Sequence, residues 1–214
     1  MTQHAATVRA TRSDGARSRN TILQAAARLA TVEGLEGLSI GRLAEHIGMS
    51  KSGLYAHFGS KEELQLATIE TAGQIFEAEV IQPTLGIAAP LDRLIGLCDA
   101  YLSHLDRGVF PGGCFFASVA AEFDMHPGAI KQRIAEFQRQ WLQLMEDLAR
   151  QAQDAGQIIE DEDPAQLVFE VDAFLLMANM TFLLQNDVAF LEQARRAIQA
   201  RINRARAQPA LHSV

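Results

Sequence analysis

The sequence of 214 residues contains little of what marks secreted, membrane-spanning or nucleic-acid-coating proteins. Its two cysteines, Cys98 and Cys114, form no CxxC pair, so neither a disulfide framework nor a thiolate metal site is indicated. Its most apolar run, residues 173–184, is shorter than the roughly 20 residues that a membrane-spanning helix needs. The net charge of −7 argues against a protein that coats nucleic acid with its whole surface. We expect a soluble cytoplasmic protein with no membrane partner.

Signatures of catalysis and of metal binding are also missing from the sequence. There is no GxSxG, no HExxH and no glycine-rich phosphate loop. His104 and His126 stand apart from each other and from the cysteines, without the short spacings that zinc sites use. The sequence therefore predicts no enzyme, no cofactor and no metal site. A regulator that senses metal or oxidants through Cys98 and Cys114 is kept as an alternative.

Charges are distributed unevenly along the chain. Residues 1–61 carry 8 Lys and Arg against 4 Asp and Glu, whereas residues 62–214 carry 11 against 22. A basic first part followed by an acidic remainder is expected of a protein that meets DNA through one end only. A surplus of solubilising carboxylates in the second part would give the same count.

Helical periodicity runs through most of the chain, and no strand pattern interrupts it. The expected fold is all-α, with an N-terminal three-helix domain, a C-terminal helical bundle and about nine helices in total. Pro127 and Pro164 are expected to be first helical residues, with Asp163 as the N-cap before the latter. The helices are expected near residues 17–34, 40–47, 50–58, 60–81, 91–107, 113–123, 127–155, 164–186 and 188–206.

Residues 39–61, SIGRLAEHIGMSKSGLYAHFGSK, form the most informative segment. An apolar stripe on residues 40–47 suits a helix of about two turns. Gly48 supplies a residue that adopts positive φ without steric cost, and Ser50 stands where a second helix would have its N-cap. Ala44 is small enough to let two helices cross closely. This arrangement is typical of a helix-turn-helix, whose second helix enters the major groove of DNA.

The composition of the second helix favours this interpretation over an ordinary αα-hairpin. Its outer face is small, basic and rich in hydrogen-bond donors, whereas a solvated face would more often interleave Glu and Lys. Lys51, Ser52 and Gly53 are expected to face the groove. Lys51 or Arg42 is a candidate to read guanine through its O6 and N7 atoms.

The segment SKSGLYAHFGSKEEL closely resembles the recognition-helix signature of the tetracycline-repressor (TetR) family of transcription regulators. The resemblance extends back through RSRNTILQAAARLATVEGLEGLSIGRLAEHIG and covers about residues 17–66. It implies an all-α, two-domain, homodimeric regulator with an N-terminal DNA-binding domain and a C-terminal domain for dimerisation and ligand sensing. It implies much less about residues 67–214, because the family's C-terminal domains diverge widely.

The resemblance also implies roles for single residues. Ser39 is placed to meet a phosphate, and Tyr55 and Lys61 match family positions that commonly grip the DNA backbone. The predicted DNA contacts are Ser39, Arg42, Ser50, Lys51, Ser52, Gly53, Tyr55, His57 and Lys61. Arg17 or Arg19 is expected to contact DNA as well. Arg9 and Arg12 belong either to a disordered extension or to an arm that reaches the minor groove.

The expected organisation is a flexible tail at 1–16, the DNA-binding domain at 17–62, a sensing and dimerisation domain at 63–206 and a tail at 207–214. The segment 164–186 is apolar around its whole circumference, so it needs cover on all sides. Together with the amphipathic helix that follows it, it suits a four-helix interface in a homodimer formed through residues 164–206. The alternative is the central helix of a monomeric bundle.

A ligand pocket is harder to predict, because a stripe of aromatic residues and methionines is also what a plain core looks like. The candidates for an apolar pocket with a few polar groups are Tyr101, Phe115, Phe116, Phe123, Trp141, Phe174, Met177 and Thr181. The predicted function is a ligand-responsive transcriptional repressor that binds a palindromic operator in double-stranded DNA and is released by a small organic effector. A nonspecific or architectural DNA-binding protein is the other alternative.

Overall fold

The computed structural model describes the backbone of residues 2–207 and the side chains of residues 17–207. This part of the chain is all-α, as predicted, with nine α-helices and no strand beyond one isolated bridge between Ile158 and Arg206. After α4 the chain continues through a π-helical turn and a short 3-10 turn, Glu77–Ile81 and Gln82–Thr84. The helices are α1 (Thr2–Glu33), α2 (Ile40–Ile47), α3 (Lys51–Tyr55), α4 (Lys61–Phe76), α5 (Pro90–Asp106), α6 (Phe115–Phe123), α7 (Ala129–Asp154), α8 (Pro164–Gln185) and α9 (Ala189–Ala205).

Several helix ends differ from the sequence-based expectation; for example, the helix expected at 50–58 ends at Tyr55. Helix α1 begins at Thr2 rather than near residue 17, so the stretch expected to be a flexible tail has a helical backbone. Pro127 is not the first residue of α7, because Gly128 adopts a φ of 144° and the helix begins at Ala129. Of the expected C-terminal tail, residues 208–214 lie outside the described residues.

The chain divides into two compact units. Unit 1 consists of the chain up to Gln74 together with Phe110–Ile134, and unit 2 consists of Ile75–Val109 together with the chain from Ala135 onward. The expected boundary at residue 62 does not coincide with this division. Residues 110–134, which the sequence analysis assigned to the second domain, fold with the N-terminal helices, and sequence order alone gave no indication of this.

The core of unit 1 holds α1 against the two short helices that follow it. Ala26 and Ala27 of α1 are fully buried, and their small side chains allow close packing of neighbouring helices. Leu43 of α2 and Leu54 of α3 are also fully buried. Phe58 is buried under the guanidinium of Arg19, which lies 4.8 Å from the centre of the ring. These contacts fix α2 and α3 on a rigid support.

In unit 2, α8 and α9 form a helical hairpin. Asp163 caps α8 by accepting a hydrogen bond from the Ala165 N–H at 2.9 Å, as the sequence predicts. Asn186 ends the helix with a φ of 50°. Arg201 of α9 is buried and donates to Glu162, at 2.6 and 3.1 Å, and to Glu170, so its charge is paired on both sides.

Only one side of α8 is covered by the part of the chain that the structure describes. Leu167, Val171 and Leu175 are fully buried. The other side leaves large apolar side chains at least 38% exposed, namely Phe169, Leu176, Met177, Met180, Leu183 and Leu184. The helix has 22 residues, about 33 Å, so by length and composition alone it is a candidate membrane span. The sequence-based expectation concerned the uninterrupted apolar run at residues 173–184, which covers only 12 of these 22 residues.

Candidate nucleic-acid interface

Helix α2 is defined at both ends by the residues that the sequence indicates. Ser39 has an extended backbone (φ −128°, ψ 156°), and its hydroxyl accepts a hydrogen bond from the Arg42 N–H at 3.2 Å. Gly48 ends the helix with a φ of 69°. A residue with a Cβ would be strained there, so the glycine makes the tight turn into α3.

Helix α3 presents one face to the protein and the other to solvent. Ser50 is its N-cap and accepts from the Gly53 N–H at 3.1 Å. Leu54 and Phe58 are buried, whereas Lys51 and Ser52 are exposed and Tyr55 is 58% exposed. The predicted helix-turn-helix is confirmed, with the small and donor-rich face of α3 available to a groove of DNA.

A groove of about 510 Å³ lies between the beginnings of α2 and α3. The Lys51 side chain lies over Gly41, since a Cβ on that glycine would be 3.4 Å from the lysine Cε. A Cβ at position 41 would therefore be in ordinary van der Waals contact with the lysine stem. The lining residues are Ser39, Gly41, Arg42, Ala44, Glu45, Met49 and Lys51.

Carboxylates of the same unit pair with most of the cations predicted to meet DNA. Arg42 donates two hydrogen bonds to Glu33, at 2.7 and 3.0 Å, and lies 3.5 Å from Glu45. These partners, Glu33 first, raise the pKa of Arg42. Lys61 donates to Glu36 at 3.0 Å, and this bond lowers the pKa of the glutamate. Phosphate must therefore compete with an internal carboxylate at both cations.

Lys51 is different, because it makes no ion pair with any residue that the structure describes. Within residues 39–61 it is thus the candidate cation whose charge is least compensated by the protein. Arg19 lies 3.8 Å from Glu63, and Arg17 is exposed. Arg9 and Arg12, also named as candidates, precede residue 17, where the description of side chains begins. His57 is half-buried against the ring of Phe58, with the ring centres 6.3 Å apart.

Unit 2 contains an aromatic cluster that includes two of the predicted ligand residues, Tyr101 and Trp141. The rings of Tyr101 and Trp141 stack with their centres 6.3 Å apart, and Phe76 meets both edge to face, at 6.2 Å from Tyr101 and 5.3 Å from Trp141. His104 is 6.1 Å from the same phenylalanine. The Trp141 indole N–H donates to Asp172 at 2.9 Å. Burial raises the pKa of Asp172, and the indole hydrogen bond opposes this shift.

The other predicted ligand residues are not in this cluster. Phe115, Phe116 and Phe123 lie in unit 1, where Phe115 is packed against Phe116 with the ring centres 5.4 Å apart. Phe174 is half-buried in α8. Met177 is 54% exposed, and the Thr181 hydroxyl donates to its backbone carbonyl at 2.7 Å. Sequence reasoning missed Phe76 and Asp172, which no local spacing connects with Tyr101 or Trp141.

His104 is expected to make the free energy of unfolding depend on pH. The side chain is 1% exposed, and burial lowers its pKa to about 4, although the nearby Glu79 carboxylate acts in the opposite direction. Between pH 4 and about 6.5 the unfolded chain binds the proton and the folded chain does not. The free energy of unfolding is therefore expected to fall by up to about 3 kcal/mol as the pH is lowered through this range.

Thermal unfolding of His104→Gln and of the unaltered protein at a series of pH values measures this contribution. The variant is expected to lose part of the decline between pH 6.5 and 4. The exposed His46 provides the control, because His46→Gln leaves the buried imidazole in place. Equal slopes for His104→Gln and His46→Gln would contradict the assignment.

The two cysteines are placed as small core residues. Cys98 is 1% and Cys114 is 3% exposed, and burial raises the pKa of the Cys98 thiol. A thiol that stays protonated is a poor nucleophile and a poor metal ligand. No group of three or more His, Cys, Asp and Glu side chains suited to a metal occurs among the described residues. The metal- or redox-sensing alternative therefore has no support from the geometry.

A helix-turn-helix with an exposed, donor-rich second helix, within an all-α chain, defines a DNA-binding transcription regulator. Residues 22–68 match the sequence model of the "Bacterial regulatory proteins, tetR family", and residues 90–198 match the "Tetracyclin repressor-like, C-terminal domain". Because the second match alone spans half of the chain, the chain belongs to the TetR family. It is a DNA-binding regulator and not an enzyme.

Known relatives agree with this assignment. The transcriptional regulator AcuR of Cereibacter sphaeroides is 24% identical over 155 residues, which cover 72% of this chain and 71% of that protein. A TetR transcriptional regulator from Chloroflexus aurantiacus has a TM-score of 0.85 at 25% identity, with 92% of this chain and 100% of that chain covered. AibR, solved with isovaleryl coenzyme A and operator DNA, has a TM-score of 0.67 at 24% identity over 84% and 95% of the two chains.

Proposed function

We propose that this protein is a cytoplasmic, ligand-responsive repressor that binds a palindromic operator as a homodimer and is released by a small organic effector. The observation that carries the proposal is the exposed face of α3, where Lys51 and Tyr55 point to solvent while Leu54 anchors the helix in the core. Such a face on a rigid support matches the docking geometry of a recognition helix in the major groove.

The uncovered side of α8 supports the homodimer. Phe169, Met180 and Leu184 are 69, 54 and 80% exposed, and their spacing places them on one stripe of the helix. A contiguous apolar stripe of this kind marks an interaction surface. Asp172 and Glu170 lie within the helix and are engaged by Trp141 and Arg201, which favours a second protein subunit over lipid as the cover. A two-fold axis through α8 and α9 would give two heads that read a palindrome.

The aromatic cluster around Trp141 supports an organic effector. Its rings offer apolar surface, and Asp172 supplies a carboxylate that fixes the orientation of a bound molecule. AibR shows that a protein of similar fold is found with both an acyl coenzyme A and operator DNA. An effector releases DNA when it binds the non-binding shape more tightly, and a tenfold effect needs about 1.4 kcal/mol of preference.

Selection of bound duplexes from a random pool, followed by competition with candidate metabolites, tests the proposal. The selected duplexes are expected to contain an inverted repeat. Trp141 is the only tryptophan, so its fluorescence reports directly on the aromatic cluster. A true effector is expected to change this fluorescence and to release the duplex over the same concentration range. Release without a change in fluorescence would place the effector elsewhere.

Nonspecific DNA binding is the main alternative, and it predicts a different result. Affinity would then depend steeply on salt and little on sequence. The acidic remainder of the chain, with 11 Lys and Arg against 22 Asp and Glu, opposes binding through a large surface. A selection that enriches no inverted repeat would favour the alternative.

A further inference from the structure

We infer that Glu122 of α6 is a positioning residue for the DNA-reading helices. Its carboxylate accepts two backbone hydrogen bonds from the turn between α1 and α2, from the Leu35 N–H at 3.2 Å and from the Glu36 N–H at 2.9 Å. All three residues lie in unit 1, although 86 and 87 positions of sequence separate the partners. The inference goes beyond the proposed function, because it assigns a role to a residue outside the predicted DNA contacts and the predicted ligand residues.

The turn that Glu122 holds is short and bound on two sides. Gly34 ends α1 with a φ of 84°, and a Cβ on it would lie 2.9 Å from the Glu122 carboxylate. The Leu35 carbonyl accepts a buried hydrogen bond from the Gln65 side chain of α4 at 2.7 Å. The N–H groups of Leu35 and Glu36 follow the last residue of α1 and donate to the Glu122 carboxylate rather than to a helical carbonyl, so this external acceptor decides where the turn lies. Glu122 supplies this acceptor with a full charge.

The position of the turn matters for two predicted DNA contacts. It leads directly into Ser39, the N-cap of α2, and it carries Glu36, whose side chain holds the Lys61 ammonium at 3.0 Å. A displaced turn would move the start of α2 and the partner of Lys61 together. A negative charge close to a DNA-binding surface is unfavourable in itself. A positioning role explains why a carboxylate is useful here despite that charge.

A second contact joins the start of α6 to α1. The Gly112 N–H donates to the Thr31 hydroxyl at 3.1 Å, and a Cβ on Gly112 would lie 1.8 Å from the Thr31 carbonyl oxygen. The backbone of residue 112 therefore lies directly against the last turns of α1. The last turn of α6 and the segment just before α6 are thus fastened to the turn and helix that precede α2. Residues 110–134 therefore belong to the same unit as the DNA-reading helices. The DNA-binding domain expected from the sequence, residues 17–62, does not include them.

Substitution of Glu122 tests the inference, because the two effects of its carboxylate change DNA affinity in opposite directions. Loss of its hydrogen bonds is expected to weaken binding, whereas loss of its negative charge alone is expected to strengthen binding. Glu122→Ala is expected to bind the duplex selected by the unaltered protein about tenfold more weakly, because the turn loses two charge-assisted hydrogen bonds. Glu122→Gln retains one acceptor oxygen, and its affinity for the duplex is expected to lie between the affinities of Glu122→Ala and the unaltered protein. Asp124→Asn is the control, since it removes the same charge from an exposed neighbour and is expected to leave binding equal or slightly stronger.

The salt dependence of binding separates positioning from a loss of folded protein. A loosened Lys61 contact is expected to make the slope of log affinity against log salt shallower by up to about one per head, whereas fewer folded molecules would lower only the active fraction. Gly112→Ala, which pushes α6 from α1 by another route, is expected to give the same pattern. If Glu122→Ala fails to fold, the affinities and salt slopes of Glu122→Gln and Gly112→Ala test the inference instead.

Affinity and slope of Glu122→Gln equal to those of Asp124→Asn would overturn the inference. Failure of the unaltered protein to select any duplex would instead refute the proposed function, so the two failures are distinguishable.

Discussion

Met180→Asp is expected to leave the protein monomeric at micromolar concentration and to weaken operator binding at least about a hundredfold. Met180 is 54% exposed in the middle of the uncovered stripe of α8, so the substitution does little to one chain alone. In a two-fold interface each change occurs twice, and both carboxylates would have to be buried without a partner. A single head then contacts only one half-site, which gives modest affinity and modest discrimination.

Sedimentation or light scattering measures the oligomeric state, and a fluorescence titration with the selected duplex measures the affinity. Leu85→Asp is the matched control, because it adds the same charge to a 60% exposed apolar side chain of unit 2 outside α8. The control is expected to remain dimeric and to bind the operator. A dimeric Met180→Asp protein would show that the stripe on α8 is not the interface.

The helix-turn-helix could be predicted from the sequence because its determinants are local. The caps at Ser39 and Ser50 act within three residues, and Gly48 needs only its own backbone conformation. The apolar surface of α8 could be predicted for a similar reason. The pattern of apolar residues along a helix indicates that the helix is buried, whichever part of the protein or of a partner covers it. Family resemblance added the roles of Tyr55 and Lys61, which spacing alone does not give.

The remaining features depend on contacts between distant parts of the sequence. Glu122 meets the turn at Leu35 only because α6 folds back onto α1, and no spacing in the sequence reports that contact. The aromatic residues proposed as one pocket were divided between the two units for the same reason. Phe115 and Trp141 look alike as a pattern, but the first packs in unit 1 and the second in unit 2.

Formal charge is likewise a poor guide to which cations are available for DNA. The first 61 residues have a surplus of cations, but Arg42 is bound to Glu33 and Lys61 to Glu36. Each pair must open or share its cation before a phosphate or base is bound, and the internal partner offsets part of the gain. Lys51 carries no such cost, so the largest single contribution of a side chain is expected there.

Lys51→Ala is accordingly expected to weaken operator binding by about thirtyfold or more, with the preference relaxed at one base pair of each half-site. A base contact contributes about 1–3 kcal/mol, and a dimer loses it twice. Arg42→Ala is expected to cost less, because Glu33 already satisfies much of the guanidinium. Affinities for the selected duplex and for its single-base variants provide the measurement.

Lys131→Ala removes the same charge from unit 1 at a side chain whose ammonium is bound to the Asp124 carbonyl, and it controls for the loss of charge alone. If Lys51→Ala costs no more than Lys131→Ala, the face of α3 is not the reading surface. A uniform loss across all base variants, with a shallower salt slope, would instead assign Lys51 to a phosphate. The reading role would then pass to Arg42, whose release from Glu33 would have to accompany every specific binding event.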